Sequence, residues 1–184
     1  VWNSGKKVSD QSVLIPYEGE ALASETLYTV QVSVADNHGN TESVEGTFET
    51  GIFDNTEFKA QMITGDFPEE ETACPVFGKI FALDKKVKKV RLYATAHGVY
   101  EVTLNGQTVG DYSMAPGWTS YHNRLQYQIY DVTELLAAEN EIEITVGNGW
   151  YKGILGFYCQ PNQYGTQVGA FAELHVEYED GSKD

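Results

Sequence analysis

The feature that most constrains the fold is a two-residue alternation of apolar and polar side chains that recurs between residues 90 and 178. Because successive side chains of a strand point to opposite faces of a sheet, this period predicts strands with one buried and one exposed face. Turn residues and large aromatic residues separate the segments, as is typical of a β-sandwich. The predicted buried positions are Val90, Leu92, Ala94 and Ala96; Tyr100, Val102 and Leu104; Leu125, Tyr127 and Ile129; Ile142, Ile144 and Val146; and Ala172, Leu174, Val176 and Tyr178.

Short motifs predict how these strands are connected. Asn105-Gly106 supplies the two positive-φ positions of a type I′ hairpin. Asp131, followed three residues later by Glu134, has capping-box spacing and predicts a single helical turn. Asp180-Gly181 predicts another hairpin turn, with no returning strand before Asp184. The alternation is lost between residues 152 and 169, which predicts a long irregular loop.

The first 50 residues predict only part of a domain. Alternation over 28–34 favours a half-buried strand, 46–50 favours a second, and the apolar run 13–15, which stops at Pro16, favours a third. About three strands are fewer than the seven or so of a small β-sandwich domain. We therefore expect a partial domain at 1–50.

A connector is expected to follow the partial domain. Residues 51–73 contain Pro68, two glycines and an acidic run, but little periodicity. The denser strand series begins near Cys74. We therefore expect the connector at 51–73 and a second domain at 74–184 whose C-terminal end is truncated.

The charge balance excludes several classes of partner. The chain has 27 acidic and 12 basic side chains, a formal net charge of −15, and would repel the phosphate backbone of nucleic acids. No stretch approaches the roughly 20 apolar residues that span a membrane. One basic cluster exists, and a solvated turn explains it better than a binding patch. It comprises Lys85, Lys86, Lys88 and Lys89.

Neither the cysteines nor the first residues identify a compartment. Cys74 and Cys159 are too few for a disulfide framework, and we expect them to be buried thiols. The first residues lack both an initiator methionine and the apolar core of a signal peptide, so the chain is expected to be an internal piece of a longer protein.

An ordered set of segments resembles the N-terminal accessory region of bacterial α-L-rhamnosidases of glycoside hydrolase family 78. The resemblance is carried by residues 2–6, 17–19, 48–51, 90–93, 98–110, 114–121, 127–133, 147–153 and 178–181. It implies an all-β fold, a jelly-roll-like β-sandwich preceded by the C-terminal part of a fibronectin type III-like domain. It also implies that hydrolysis is carried out by a helical (α/α)6 barrel farther along the parent chain, which would be the partner of this region.

No catalytic residue is predicted in this chain. An inverting glycosidase needs two carboxyl groups roughly 6.5–9.5 Å apart, one as acid and one as base. The carboxylates on the predicted strands lie on polar faces, where exposure to solvent is the default. These residues are Glu101, Glu141, Glu143, Glu173 and Glu177.

Aromatic residues at predicted strand ends are the candidates for carbohydrate binding. An aromatic ring can lie against the C–H face of a sugar while an amide bonds its hydroxyls. The candidate residues are Trp118, Tyr121, Asn148, Trp150 and Tyr151. The alternative is structural: the aromatics cover the end of the sandwich core or pack on the helical domain, and Asn148 between two glycines holds a left-handed turn.

Metal sites are weakly indicated. Some sandwich domains attached to rhamnosidases resemble modules that recognise rhamnose through a calcium ion, and oxygen ligands exist here at Asn105, Asp111, Asn123 and Asp131. No Asp-x-Asp-x-Asp-Gly loop accompanies them, and the two aspartates have structural roles as turn or cap residues, so we predict no metal. Zinc is not expected, because His38, His97, His122 and His175 lack ligand spacing.

Two hypotheses of function follow. The first is a non-catalytic accessory fragment of an α-L-rhamnosidase that braces the catalytic domain and contacts sugar. The second is an autonomous lectin-like module that binds rhamnose or related glycans. A third, in which the fragment is itself an enzyme, would require hydrolysis of a rhamnoside by the isolated chain, and we expect none.

Overall fold

Nine strands, one short helix and two 3₁₀ turns make up the computed structural model, which describes residues 2–184; Val1, the first residue of the predicted partial domain, lies outside it. All strand pairing is antiparallel, and the predicted all-β class is confirmed. The elements are β1 (Leu27–Ala35), β2 (Thr41–Glu49), β3 (Val76–Ala82), β4 (Val87–His97), β5 (Val99–Leu104), β6 (Gln107–Thr108), β7 (Gln128–Asp131), β8 (Glu139–Gly147), α1 (Gly149–Lys152) and β9 (Gly169–Tyr178), with 3₁₀ turns at Asn55–Glu57 and Thr133–Leu135.

The chain divides into two compact units between Glu57 and Phe58. In the first unit β1 and β2 form a two-stranded sheet that runs from the pair Leu27 and Glu49 to the pair Ala35 and Thr41. The strand predicted over 28–34 is confirmed. Its half-buried face is not: Val32 is 50% exposed, because no second sheet covers the valines within the described part of this unit.

The third strand predicted in this unit, at 13–15, is also wrong. Residues 13–15 have no ladder partner, and Leu14 is 91% exposed with φ of 56°. Pro16 has no backbone N–H to donate, so the short apolar run cannot extend through residue 16 as a hydrogen-bonded strand.

The second unit is a sandwich of two sheets, with strand orders β3-β8-β5-β6 and β7-β4-β9. The core lies between the sheets, and its centre is formed by the predicted apolar faces of β4, β5 and β8, which are confirmed. Buried side chains there include Val90, Leu92, Ala94, Ala96, Tyr100, Val102, Leu104, Ile142, Ile144 and Val146. The apolar face predicted for β9 also contacts this core, through Ala172, Leu174, Val176 and Tyr178.

The outer face of the β7-β4-β9 sheet is covered by residues that precede the first strand of the unit. The Phe58 ring packs edge-on against Tyr93, Tyr127 and Phe171, with ring centroids 5.3–5.6 Å apart. The backbone N–H groups of Lys59 and Ala60 donate to one Glu173 carboxylate oxygen at 2.9 and 2.7 Å. Tyr93 is consequently only 1% exposed, and β4 is buried on both faces.

Glu173 therefore differs from the solvated carboxylate that its polar position predicts. Burial raises its pKa, but the hydrogen bonds from Ala60, His175 and Lys59 outweigh burial and hold the pKa below its usual value. His175 Nε2 lies 2.8 Å from the other carboxylate oxygen. The Glu173 carboxylate therefore has a structural role: the hydrogen bonds that it accepts hold residues 58–60 on the sheet.

The strand predicted around 125–129 lies later and faces the other way. Strand β7 covers Gln128–Asp131, Tyr130 packs on the core, and Ile129 is 40% exposed. A shift of one residue reverses every side chain of a strand. The Tyr130 position is favoured because the Tyr100 hydroxyl lies 3.2 Å from the Tyr130 hydroxyl and donates to Gln128 at 2.8 Å.

The predicted turns are confirmed, with differences at Asp131 and at the end of the chain. Asn105 and Gly106 both have positive φ, 53° and 74°, and join β5 to β6. The helical turn predicted after Asp131 forms as the 3₁₀ turn, and Asp131 accepts hydrogen bonds from Thr133; the predicted capping box does not form, because Val132 is the N-cap residue and no side chain caps the turn. The turn at Asp180-Gly181 forms, but the chain does return: Asp184 and Val176 exchange two backbone hydrogen bonds.

The lysines and cysteines lie at the surface. The basic cluster is solvated as predicted, and Lys85, Lys86 and Lys88 form ion pairs with Asp180, Glu179 and Glu177. Cys74 and Cys159 are exposed free thiols, so the prediction of buried thiols is wrong; both lie in segments between strands rather than in the sheets. No helix within residues 2–184 is long and apolar enough to span a membrane.

We expect Leu104→Ala to destabilise the second unit. Leu104 is fully buried in the core, and truncating such a side chain costs about 2–5 kcal/mol because it leaves a cavity. Urea unfolding followed by circular dichroism measures the loss. The matched control is Ile80→Ala, since Ile80 is 64% exposed on β3 and should change the free energy of unfolding by less than about 0.5 kcal/mol. Equal losses for the two variants would contradict the core assignment.

Candidate functional site

Aromatic side chains from four separate segments meet at one end of the sandwich of the second unit. We call this set the aromatic end cluster: Trp118 and Tyr121 precede β7, Trp150 and Tyr151 lie on α1, Tyr164 lies in the loop 153–168, and His97 ends β4. Four of the five predicted site residues are therefore together.

The turn after β8 places two members of the cluster. Gly149 has φ of +50°, and a Cβ at this position would lie 2.7 Å from Val99 Cγ1. Only glycine fits this close approach without strain. Helix α1 therefore starts immediately beside β5, and its residues Trp150 and Tyr151 lie at the end of the sandwich.

Trp118 and Trp150 form a parallel pair. Their ring centroids are 6.3 Å apart and their planes differ by 7°, an offset-stacked arrangement. Trp118 Nε1 donates to the Tyr164 hydroxyl at 3.4 Å. Trp118 is 56% exposed, so much of this fixed ring is accessible to solvent.

The tyrosines form a more enclosed layer beside the tryptophans. Tyr121 packs on Tyr151 and Tyr164, with ring centroids 5.3 and 4.8 Å apart. Tyr151 also stacks on His97, at 4.6 Å and 3°. The Tyr121 hydroxyl donates to the Gly117 carbonyl at 3.1 Å. These contacts fix both rings, so Tyr121 and Tyr151 support the cluster.

Asn148 does not hold the left-handed turn that was the structural alternative to its predicted role in sugar binding. Its backbone is right-handed, with φ −58° and ψ −38°, while the neighbouring Gly149 takes the left-handed conformation. Its side chain does not cap α1 and bonds to no other described residue. Asn148 is half-buried, and the hydrogen-bonding groups of its amide are free.

The titration of the cluster suits binding better than proton transfer. Burial raises the pKa of Tyr121, with a further contribution from Tyr164, and burial raises the pKa of Tyr151. Burial also lowers the pKa of His97. At neutral pH these groups are uncharged hydrogen-bonding and stacking groups.

Metal ligands do not gather in the described chain. Among residues 2–184, no three His, Cys, Asp or Glu side chains lie close enough together to hold an ion. Asn105, one calcium candidate, donates to Leu135 and Asn140 and accepts from Glu141. Asp131 pairs with Arg91 and Thr133.

The loop 153–168 carries a second surface, which we call the loop tip: Ile154, Phe157 and Tyr158. They are 72%, 96% and 82% exposed. The base of the loop is hydrogen-bonded, since Leu155 and Gln160 exchange backbone bonds of 2.9 and 3.2 Å and Asn162 N–H donates to the Lys152 carbonyl. The tip is thus an exposed apolar projection on an ordered base.

Two members of the cluster were not predicted as site residues. Tyr164 lies in a segment without periodicity, and the only available signal was its position among glycines and other aromatics. His97 ends a strand whose alternate positions are apolar, and its contact with Tyr151 joins residues 54 positions apart. Sequence spacing carries no information about that contact.

Two family models match the chain. The α-L-rhamnosidase N-terminal domain matches residues 85–184, and the Rha78A-like N-terminal immunoglobulin domain matches residues 1–54. Immunoglobulin and fibronectin type III domains share the β-sandwich architecture, so the second match agrees with the fold class predicted for the first residues.

Relatives and solved structures agree with these matches. An α-L-rhamnosidase of Formosa agariphila is 34% identical over all of this chain and 21% of its own length; one of Streptomyces avermitilis is 48% identical over 54% of the chain and 10% of its own length. The crystal structure of native α-L-rhamnosidase from Aspergillus terreus superposes with a TM-score of 0.87 at 39% identity, covering 96% of this chain and 21% of that one. The chain thus spans about a fifth of the length of the Formosa relative.

We expect the aromatic end cluster to loosen in mild acid. Because burial lowers the folded-state pKa of His97, the neutral ring contributes stability above the unfolded-state pKa of about 6.5. That contribution is lost as the pH falls from there through the lower folded-state value. Melting temperatures between pH 7.5 and 5.5 should fall more steeply for the wild type than for His97→Phe. The exposed His38→Gln serves as control, and identical slopes for wild type and His97→Phe would contradict the assignment.

Proposed function

The chain belongs to the family of α-L-rhamnosidase N-terminal domains, and we propose on that premise that it is a non-catalytic accessory part of an α-L-rhamnosidase that braces the catalytic domain. The enzyme would hydrolyse terminal α-L-rhamnosides with paired carboxylates in a helical barrel elsewhere in the longer protein. This chain would contribute stability and a docking surface to it.

The loop tip is the observation that carries this proposal. Ile154, Phe157 and Tyr158 project from one loop with most of their surface in water. Exposed apolar groups that lie together mark interaction sites more often than isolated ones do. Covering them would contribute about 25 cal/mol for each Å² of apolar surface removed from water.

The occupant proposed for the loop tip is the remaining part of the same longer protein. The chain covers 21–22% of the length of relatives and structures that match it over its whole length, so most of each relative lies outside the matched region. A surface held on an ordered base loses little entropy when it docks. It therefore suits a permanent intramolecular contact.

We expect the double variant Phe157→Ser/Tyr158→Ser to weaken the bracing. In the full-length enzyme it should lower the temperature of half-inactivation by about 2–4 °C or more, since the loss of a docked apolar pair exceeds 1 kcal/mol. Hydrolysis of an aryl rhamnoside after heating measures this.

Two controls accompany that variant. The melting temperature of the 184-residue chain itself should not change, because the tip makes few contacts there. Ile80→Ser removes a 64% exposed apolar side chain from β3 and should leave half-inactivation unchanged. If the double variant inactivates like the wild type, the loop tip is not the bracing contact.

A second candidate function is a lectin-like module for rhamnose or related glycans, with contacts from Trp118, Tyr121, Asn148, Trp150 and Tyr151. One observation favours it. Trp118 offers a fixed, 56% exposed indole, and the free Asn148 amide lies on the residue that precedes α1. A flat apolar ring beside an amide suits a sugar, which has both a C–H face and hydroxyls.

If the lectin hypothesis holds, titration calorimetry with L-rhamnose should give heat that disappears in Trp118→Ala and Trp150→Ala. Stacking on one aromatic ring contributes on the order of 1 kcal/mol, so the affinity should fall by roughly fivefold or more. Trp2→Ala, which removes a tryptophan from the first unit, is the control. Repeating the titration with a chelator tests calcium. Absence of heat at millimolar sugar would count against this function.

A further inference from the structure

We propose that a groove along the free edge of β7 is a second binding site, for a neutral saccharide held through its hydroxyls. The groove is lined by Asp111, Tyr112 and residues 124–130, and its volume is about 610 Å³. Pockets for small ligands typically have volumes of 300–1,000 Å³. We call it the β7 groove. None of its lining residues belongs to the aromatic end cluster.

Two opposite charges line the β7 groove without being neutralised. The Arg124 guanidinium and the Asp111 carboxylate have no hydrogen-bond or ion-pair partner among residues 2–184, each other included. Arg124 is one of only 12 basic residues in a chain with 27 acidic ones. Its five N–H groups are available to a ligand.

The pair of charges selects the class of ligand. A phosphate or carboxylate would be attracted by Arg124 but repelled by Asp111 and by the net charge of −15. A cationic ligand would be repelled by Arg124. A saccharide suits both groups, because a hydroxyl can accept from the guanidinium and a hydroxyl can also donate to the carboxylate. Hydrogen bonds to charged groups are about twice as strong as neutral ones.

The apolar lining suits the C–H face of a sugar ring. Tyr112 is 68% exposed and Ile129 is 40% exposed, so both present carbon surface to the groove. An aromatic ring paired with charged hydrogen-bonding groups gives a saccharide the two kinds of contact it needs.

The strand edge adds backbone groups to the same wall. Val132 N–H donates to the Val90 carbonyl on β4. Since backbone groups alternate along an antiparallel strand, those of Ile129 point away from β4, and β7 is the last strand of its sheet. One N–H and one C=O are therefore free to bond hydroxyls of a ligand in the groove.

The class of ligand follows from the groove, whereas the choice of a rhamnoside as probe rests on the proposed function. The groove proposal and the proposed bracing function can fail independently, because bracing is measured by heat inactivation with no sugar bound. D-Glucose, which also carries vicinal hydroxyls, is therefore used beside methyl α-L-rhamnoside.

The test is an NMR titration of the 184-residue chain with each sugar up to about 20 mM, a range that detects the millimolar affinity of a single-sugar site. We expect saturable shifts at the amides of Tyr112, Arg124 and Ile129. Arg124→Met, which keeps the side-chain stem, should weaken binding about tenfold or more, and Asp111→Asn should weaken it as well. Lys79→Met removes one positive charge from β3 and should leave the affinity unchanged.

The outcomes separate the two candidate sites. Groove shifts that persist in Trp118→Ala and are lost in Arg124→Met support the proposal. Shifts confined to the aromatic end cluster, no shifts with either sugar, or equal binding by Arg124→Met overturn it. Circular dichroism and the melting temperature of each variant show that a loss of binding is not a loss of fold; if Arg124→Met does not fold, Arg124→Lys replaces it, since lysine keeps the charge but lacks the two-pronged donor geometry.

Discussion

The double burial of β4 is the constraint on which the rest of the second unit depends. One face of the strand packs Val90, Leu92 and Ala94 into the core, and the other places Tyr93 under Phe58. A strand buried on both sides needs two coverings, a facing sheet and an outer layer. The facing sheet comes from β3, β8, β5 and β6, and the outer layer comes from residues near 58–60.

The sequence predicts the inner half of this arrangement well and the outer half poorly. The alternation predicts the buried inner face of β4 because the apolar residues of this strand stand at every second position. The pattern does not predict that Tyr93 is buried, because a tyrosine between Leu92 and Ala94 is as compatible with a solvated face as with a buried one. Phe58 and Glu173 complete the outer layer from positions more than 100 residues apart. Only the tertiary structure brings them together.

The same distinction applies to the site. Trp118, Tyr121, Trp150 and Tyr151 were chosen because loops at strand ends often carry binding residues. The structure brings their rings together, and their binding of sugar stays a prediction. The left-handed turn that was the structural alternative for Asn148 falls instead on Gly149. Strand β7 was misjudged because its inward residues, Gln128 and Tyr130, are polar enough to look exposed, while their hydrogen bonds with Tyr100 make an inward position favourable.

The attachment of residues 58–63 to β9 has a consequence for which changes of length this chain can accept. Glu173 binds Lys59 and Ala60, and Ile63 exchanges two backbone hydrogen bonds with Ala170. The span between these two anchors is therefore fixed, and an inserted or deleted residue there would draw Phe58 off Tyr93. Residues 69–74, by contrast, are exposed, and exposed turns accept extra residues at small entropic cost. Natural variation in length should therefore accumulate just before β3, a few residues beyond a segment that has almost no freedom to vary.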